Sequence, residues 1–395
     1  MRILMWEHFA PGGAIRVGGH HFAERFLRDG ARIAWCVGPL SPVNFVRQNE
    51  ETRARLDLWR RGGRCYADGM LFAYAPMTLL PYRPYRLFDG ESFYRNTLTG
   101  TVPRWRGVMA RAGFERVDLL WMSPGAPLLA LLDQMPHRRS VYRMSDDTSQ
   151  FADTPRTFAR FEGEVCRRVD LVVATARRLE QRARDLGARR VLFLPNACEP
   201  QRFQPGAGSE PSDLAARPRP RAVYAGAIDA WFDAALVAAV AVRMPDWQFV
   251  LVGPRRADLT SLERIPNVVL LGPRPYTELP RYLGAADAGI VPFRLTPMTH
   301  AIHPIKVYEY CAAGLPVVAT PMAETAAMRA PLRLAGDASA FEAALRDALE
   351  DGPAARAERL QFGRNNSWDD RYLTVRNELQ SLEGPGVLRV AGGDR

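Results

Sequence analysis

Lys306 and Glu309 are the residues of this sequence whose types and spacing speak most directly of chemistry. They lie in His303-Pro-Ile-Lys-Val-Tyr-Glu-Tyr-Cys-Ala-Ala-Gly314, and Lys306 is the only lysine in a chain with 52 arginines. A guanidinium is a planar fork, whereas an ammonium is a compact point charge that seats against a phosphate. Pro304 suits the first turn of a helix and Gly314 its end, so Ile305 to Ala313 is predicted as a short helix entered from a loop. Three residues apart, Lys306 and Glu309 share one face near the helix N-terminus, where free N–H groups and the helix dipole favour an anion. The lysine can neutralise a phosphate of a diphosphate, and the carboxylate can accept hydrogen bonds from two vicinal ribose hydroxyls. The same spacing also suits a surface ion pair worth roughly 0.2–0.5 kcal/mol.

A second pair, Asp146 and Asp147, closes Val141-Tyr-Arg-Met-Ser-Asp-Asp147, a predicted strand with two acids at its carboxyl edge, where α/β sheets place ligands. Neighbours on a strand face opposite sides, so at most one of them acts. Such a carboxylate can take the proton of an attacking hydroxyl, and its neighbour can cap the next turn. His8, His20 and His21 surround the first βα turn with Gly12-Gly13 and Gly18-Gly19. A glycine-rich loop can approach a ligand phosphate, which makes Gly13, His20 and His21 contact candidates on the acceptor side. The sequence has no G-x-G-x-x-G, no D-x-D, and no Cys or His spacing of a metal site, so neither metal nor cofactor is expected.

Short apolar runs alternating with helical patterns must position these residues, which is the signature of parallel sheets with crossover helices. In the first half, strands are predicted near Arg2–Trp6, Arg32–Val37, Leu119–Met122, Val141–Met144, Leu171–Thr175 and Val191–Leu194, with helices at His20–Arg28, Phe158–Arg167 and Ala176–Leu186. The stretch from Pro205 to Pro220 is rich in Pro, Gly and Ser and reads as a linker. The pattern then restarts with strands at Ala222–Gly226, Phe249–Gly253, Val268–Leu271, Ala288–Pro292 and Val317–Thr320 and a helix at Ala234–Val242, and ends in an amphipathic helix from Trp368 to Leu382.

A chain of 395 residues is more than one core usually serves. Residues 1–200 hold 31 arginines against 21 acids, whereas the rest is neutral, so the excess charge of +10 lies wholly in the first half. Such asymmetry points to an anionic partner. Arg47, Arg53, Arg55, Arg60, Arg61 and Arg64, interleaved with Phe45, Leu56, Leu58 and Trp59, could lie on an anionic leaflet, each arginine adding about 1 kcal/mol. No apolar run is long enough to span a bilayer and the first strand leaves no room for a signal peptide, so a cytoplasmic protein, peripheral at the inner membrane face, is expected. The five scattered cysteines read as reduced thiols.

Tyr224-Ala-Gly-Ala-Ile-Asp, Val252-Gly-Pro, Pro266-Asn-Val, Leu271-Gly-Pro-Arg-Pro-Tyr276, Pro292-Phe and Pro304-Ile-Lys-Val-Tyr-Glu-Tyr, in this order, resemble the nucleotide-sugar half of two-domain, family-four-like glycosyltransferases that build bacterial surface polysaccharides. Pro195-Asn-Ala-Cys-Glu with Phe203 resembles their hinge segment. The resemblance covers nearly the whole chain and implies the GT-B architecture, an α/β fold of two Rossmann-like domains facing across a cleft. By it, Lys306 would touch the donor phosphates and Glu309 the ribose, Gly226 would let backbone approach the phosphate, and Arg274 to Tyr276 would lie near the base. One departure stands out: the family usually has a second glutamate eight residues before Glu309, where this sequence has Ala301. His303 and Thr299 are the nearby polar groups. Val141-Tyr-Arg-Met-Ser-Asp146 is similar to a segment of the glucuronosyltransferase of xanthan assembly, in which the aspartate is general base, and this implies Asp146 as the catalytic base and an inverting reaction.

The expected organisation is an acceptor-side domain over residues 1–198, a linker over 199–220, a nucleotide-sugar domain over 221–366, a helix over 367–383 returning to the first domain, and a loose tail over 384–395. The expected activity is metal-independent transfer of a sugar from a nucleotide diphosphate to a hydroxyl of a glycan acceptor, polyprenol-linked at the membrane, with no nucleic acid involved. A nucleotide-sugar epimerase of the same fold, or a non-catalytic binder of sugar nucleotides or nucleic acid, are the alternatives.

Overall fold

Runs such as Ile3-Leu-Met-Trp6 and Phe249-Val-Leu-Val252 are apolar without alternation, as strands covered on both faces must be. In the computed structural model these runs form the centres of two sheets. The structure describes residues 1–13, 16–45, 50–79, 90–125, 127–150, 158–206 and 208–382. Arg47 and the tail over 384–395 lie outside the described residues. The chain divides into two units, one of Met1–Pro195 with the chain from Tyr372 onward, the other of Asn196–Arg371.

The first unit carries β1 (Arg2–Glu7), β2 (Arg32–Val37), β3 (Arg64–Tyr66), β4 (Leu71–Tyr74), β5 (Val117–Met122), β6 (His137–Met144), β7 (Leu171–Ala174) and β8 (Val191–Phe193). Their order is β3-β4-β2-β1-β5-β6-β7-β8, and all pairs are parallel except β3 with β4. The hairpin of β3 and β4 departs from the predicted pattern; it turns through Ala67, Asp68 and Gly69, all at positive φ. The order reverses between β1 and β5, so the carboxyl ends of these strands frame the crevice in which open α/β sheets take ligands. Trp6, Trp35 and Trp121, each at most 1% exposed, fill the core around β1, β2 and β5. Side chains of this size stabilise by about 2–3 kcal/mol apiece on leaving water.

The second unit carries β9 (Arg221–Ala225), β10 (Gln248–Val252), β11 (Val268–Gly272), β12 (Ala288–Val291), β13 (Val317–Ala319) and β14 (Leu332–Leu334), ordered β11-β10-β9-β12-β13-β14 and wholly parallel. Its reversal falls between β9 and β12. The expected linker over 199–220 is instead part of this unit. It forms helical turns at Pro200–Phe203 and Ser212–Ala215, and Phe203 and Leu214 are buried in the unit's core. The prolines and glycines that read as a tether shape turns, while these two apolar residues anchor them.

The Trp368–Ser381 helix joins the first unit from Tyr372 onward. The Tyr372 hydroxyl donates to Asp29 Oδ2 at 2.7 Å, its ring meets Phe26 edge-on at 5.1 Å, and Arg190 pairs with Glu378 at 2.5 Å. Leu56 and Leu58, counted above as apolar contacts for a leaflet, are each 2% exposed and belong to the core; Phe45 remains exposed and packs on Trp59. All five cysteines are free, and among the described residues no helix is long and apolar enough to cross a membrane.

Candidate functional site

The Lys306 side chain runs through a slot that glycine creates. Its helix spans Ile305–Ala312 and ends at Gly314, which takes the positive φ of 77° that favours glycine. Tyr310 fastens the helix to the sheet, since its hydroxyl accepts from the Ala225 N–H at 2.9 Å and its ring fills the space left by Gly289 on β12, where a Cβ would approach it to 2.3 Å. Lys306 Nζ then lies 5.0 Å from the ring centre of Tyr224 and 5.5 Å from that of Phe293. Gly226, after β9, has φ 147°, and a Cβ there would come within 2.4 Å of Lys306 Cε and 2.6 Å of Nζ. Gly226 was expected to admit a phosphate to the backbone; in the structure it makes room for the lysine.

Burial lowers the Lys306 ammonium to about 8, with Glu309 opposing. Among the described residues no ion pair joins Lys306 to a carboxylate. The aromatic faces of Tyr224 and Phe293 stabilise the cation without neutralising it. Burial raises Glu309 to about 7, against the pull of Lys306 and a hydrogen bond that the Tyr276 hydroxyl donates to Oε1 at 3.0 Å. Lys306, Glu309, Gly226 and Tyr276 thus come together at the carboxyl ends of β9 and β12.

Arg274 and His303 are committed elsewhere. Arg274 donates to the Tyr282 hydroxyl at 2.8 Å, the Leu271 carbonyl at 2.8 Å and Asp213 Oδ2 at 2.9 Å, so it braces the unit's own turns instead of reaching outward. The His303 ring is buried, driven down to about 3 by that burial, and stacked on Tyr308 at 5.6 Å. A neutral buried ring does not replace the carboxylate missing at Ala301. Thr299 Oγ1 accepts from the Thr296 N–H at 2.9 Å and holds a turn.

At the carboxyl edge of the first sheet, Asp146 follows β6 and accepts from Ser145 Oγ at 2.8 Å. Arg143, buried at the end of β6, feels both Asp146 and Glu7 of β1, and His8 feels Asp146 and Arg143. Asp147 turns the other way, accepting from Ser149 Oγ at 2.5 Å and lying 3.7 Å from Arg182, whose guanidinium also grips the buried Glu162 at 2.6 Å. His20 is occupied within its own turn: Nδ1 accepts from the Val17 N–H at 3.2 Å and Nε2 lies 3.4 Å from the Ala10 carbonyl oxygen. Burial lowers it to about 4. His21 is 1% exposed, Gly13 is exposed, and Gly19 lies against Glu7. Sequence reasoning gave no site role to Glu7, Ser123, Tyr224 or Phe293, although the last two stand in the motifs that carry the resemblance. Glu7 carried a readable signal, an acid at the end of the first strand, but its partners are more than a hundred residues away.

Residues 219–351 match the family described as Glycosyl transferases group 1, a segment that lies inside the second unit. TuaH of Bacillus subtilis (strain 168), named for a glycosyltransferase role in teichuronic acid biosynthesis, is 28% identical over 258 residues, 61% of this chain and 64% of TuaH. The chain therefore spans less than two thirds of the length of that curated relative. Sucrose-phosphate synthase from Thermosynechococcus elongatus superposes with a TM-score of 0.70 at 16% identity, over 96% of this chain and 98% of that one. Anabaena Alr3699/HepE in complex with UDP-glucose gives 0.66 at 14% identity, over 97% and 100%. The fold is thus α/β with two parallel-sheet, Rossmann-like domains, the GT-B fold. Group 1 members are retaining enzymes, which runs against the inversion expected from Asp146 as base.

Proposed function

We propose that this chain is a retaining glycosyltransferase that moves a sugar from a uridine diphosphate donor to a hydroxyl of a surface-polysaccharide acceptor. The observation that carries this reading is the Lys306 ammonium, which is buried against two aromatic rings and, among the described residues, is in no ion pair with a carboxylate. A diphosphate supplies the missing counter-charge, and a buried cation of this kind is worth most on a leaving group that gains charge as the glycosidic bond breaks. Glu309, held by Tyr276, accepts from the ribose hydroxyls. The group 1 match, the TuaH likeness and the UDP-glucose bound by HepE support the nucleotide-sugar donor and a cell-surface product.

Retention without a carboxylate at position 301 favours attack on the same face as the departing diphosphate. The bond from the sugar carbon to the diphosphate breaks as the acceptor oxygen bonds to that carbon and passes its proton to a phosphate oxygen, while Asp146 orients the acceptor by accepting a hydrogen bond from a neighbouring hydroxyl. The arginines of the first half place the enzyme on an anionic membrane carrying the acceptor.

Calorimetric titration with UDP and UDP-glucose tests the donor site. Binding at least tenfold weaker in Lys306→Met, about 1.4 kcal/mol, is expected. Equal affinity in that variant would remove the lysine from the donor site, and no affinity of the native protein for any nucleoside diphosphate sugar would remove the function. The anomeric configuration of the product, read by NMR, decides between retention and inversion.

A further inference from the structure

The amino edge of the first sheet carries charge that neither the donor nor the acceptor role above uses. β2 begins at Arg32 and β1 at Arg2, Arg138 is the second residue of β6, and Arg116 directly precedes β5. These are neighbouring strands, in the order β2-β1-β5-β6. Register sets Arg2 beside Arg32, and the pairing of Ile3 with Leu119 sets Arg2 beside Asp118. Asp118 in turn lies between the Val117–His137 and Leu119–Arg139 partners, which brings Arg138 next to it. The first row across the sheet therefore reads Arg32, Arg2, Asp118, Arg138. Neighbours at one register share a face of the sheet, so two like charges stand side by side, an arrangement that works against folding.

Arg2, Arg32, Arg116 and Arg138 line one cavity of about 580 Å³, a size usual for small-molecule sites. Among the described residues that line it, Asp118 is the one acid, and it is already engaged. Its Oδ2 accepts from the Arg2 N–H at 2.7 Å, and Oδ1 lies 3.9 Å from Arg138. Arg2 reaches Glu115 only at 3.6 Å. Arg32 lies over the ring of Phe114 at 5.7 Å, and among the described residues neither Arg32 nor Arg116 is in an ion pair. Gly30, at φ 77°, makes the turn into β2 and adds no side chain to the wall. Four arginines against Asp118 and Glu115 leave an excess of two positive charges. β6, eight residues long, sets this edge roughly 25 Å from the edge that carries Asp146.

We propose that this cavity is a second anion site, which takes a soluble compound bearing at least two phosphate groups between the arginines that open β1, β2 and β5. A guanidinium fork matches two phosphate oxygens and keeps its charge at every physiological pH. Adjacent strands stand about 4.8 Å apart, so neighbouring arginines can hold successive phosphates of one molecule. The hollow admits a ligand that enters whole, whereas a bilayer offers a flat face. The site is independent of the reaction the protein catalyses.

Calorimetric titration of the full chain with inorganic pyrophosphate tests this. In Lys306→Met, which removes the donor lysine, a binding event should persist, and adding Arg32→Ser with Arg116→Ser should weaken it at least tenfold. No binding in Lys306→Met, or binding that survives loss of the two arginines, overturns the site. Arg53→Ser with Arg60→Ser removes the same charge from the Glu50–Arg60 helix and should leave the affinity unchanged. Equal weakening by that pair would reduce the cavity to diffuse charge and refute the proposal. Thermal denaturation adds a readout that misfolding cannot imitate. In anion-free buffer the loss of Arg32 and Arg116 should leave the melting transition level or raise it, and pyrophosphate should stabilise only the chain that keeps them. A lowered transition would make the two arginines structural and end the proposal. Should Lys306→Met not fold, the arginine pair is compared in the native chain, where one of two pyrophosphate-binding events should vanish; survival of both counts against the site. Phosphatidylglycerol vesicles distinguish the source of the phosphate: capture should be alike with and without Arg32 and Arg116, and capture lost with them would overturn the soluble ligand.

Discussion

Lys306 and Glu309 have been displaced from their ordinary ionisation in opposite senses by the same cause, burial. In the role proposed for Lys306, a diphosphate would need the ammonium, which is present below about pH 8 and is lost as pH rises through that value. In the role proposed for Glu309, ribose hydroxyls would need the carboxylate, which is present above about pH 7 and is lost as pH falls through it. Affinity for UDP should therefore peak between these two values and fall towards tenfold per unit on either side. Calorimetry across pH 6 to 9 checks this, and Glu309→Gln should flatten the acid side alone. A single flat profile would mean that neither group meets the nucleotide.

Elements at both sites are held by close approaches that only glycine permits. The loops after β9 and β10 meet backbone to backbone: Gly253 stands at φ 153°, and a Cβ there would lie 1.9 Å from the Gly226 carbonyl oxygen. Gly226→Ala should displace Lys306 and strain a left-handed backbone at once, lowering stability by about 2–4 kcal/mol and abolishing measurable UDP binding. Thermal denaturation and titration of that variant report the two effects separately. Much of the positioning was legible in sequence. Ile305–Ala312 announced itself through Pro304 and Gly314, and Lys306 and Glu309 were paired because a helix makes residues three apart into neighbours. Tyr276 to Glu309, Tyr224 to Lys306 and Glu7 to Ser123 could not be paired, since register and crossover geometry bring them together across 33 to 116 residues. The hairpin of β3 and β4 was overlooked because its strands are three and four residues long, although Ala67-Asp-Gly69 carries a turn signal. The stretch over 199–220 misled because turn composition outweighed two isolated apolar residues, Phe203 and Leu214.

For the molecule as a whole, the charge of the first 200 residues predicts salt-sensitive attachment to anionic vesicles. Sedimentation with phosphatidylglycerol vesicles should capture the protein in low salt and release it in high salt, and Arg53→Glu with Arg60→Glu should weaken capture. Protein that stays in the supernatant at low salt would end the membrane proposal. Within the first unit, Tyr372→Phe removes the hydrogen bond to Asp29 and should cost about 1 kcal/mol, visible as a lower melting transition. The place of that tyrosine in the chain has a consequence for synthesis. Residues 196–371 make up the second unit, and all but the first turn of the helix that completes the first follows them. On the ribosome, the half translated earliest must wait for its closing piece while its neighbour folds. Nascent chains stalled before Tyr372 should therefore carry a finished second unit and an unfinished, protease-sensitive first one, and any chaperone that attends this protein should linger on the part made first.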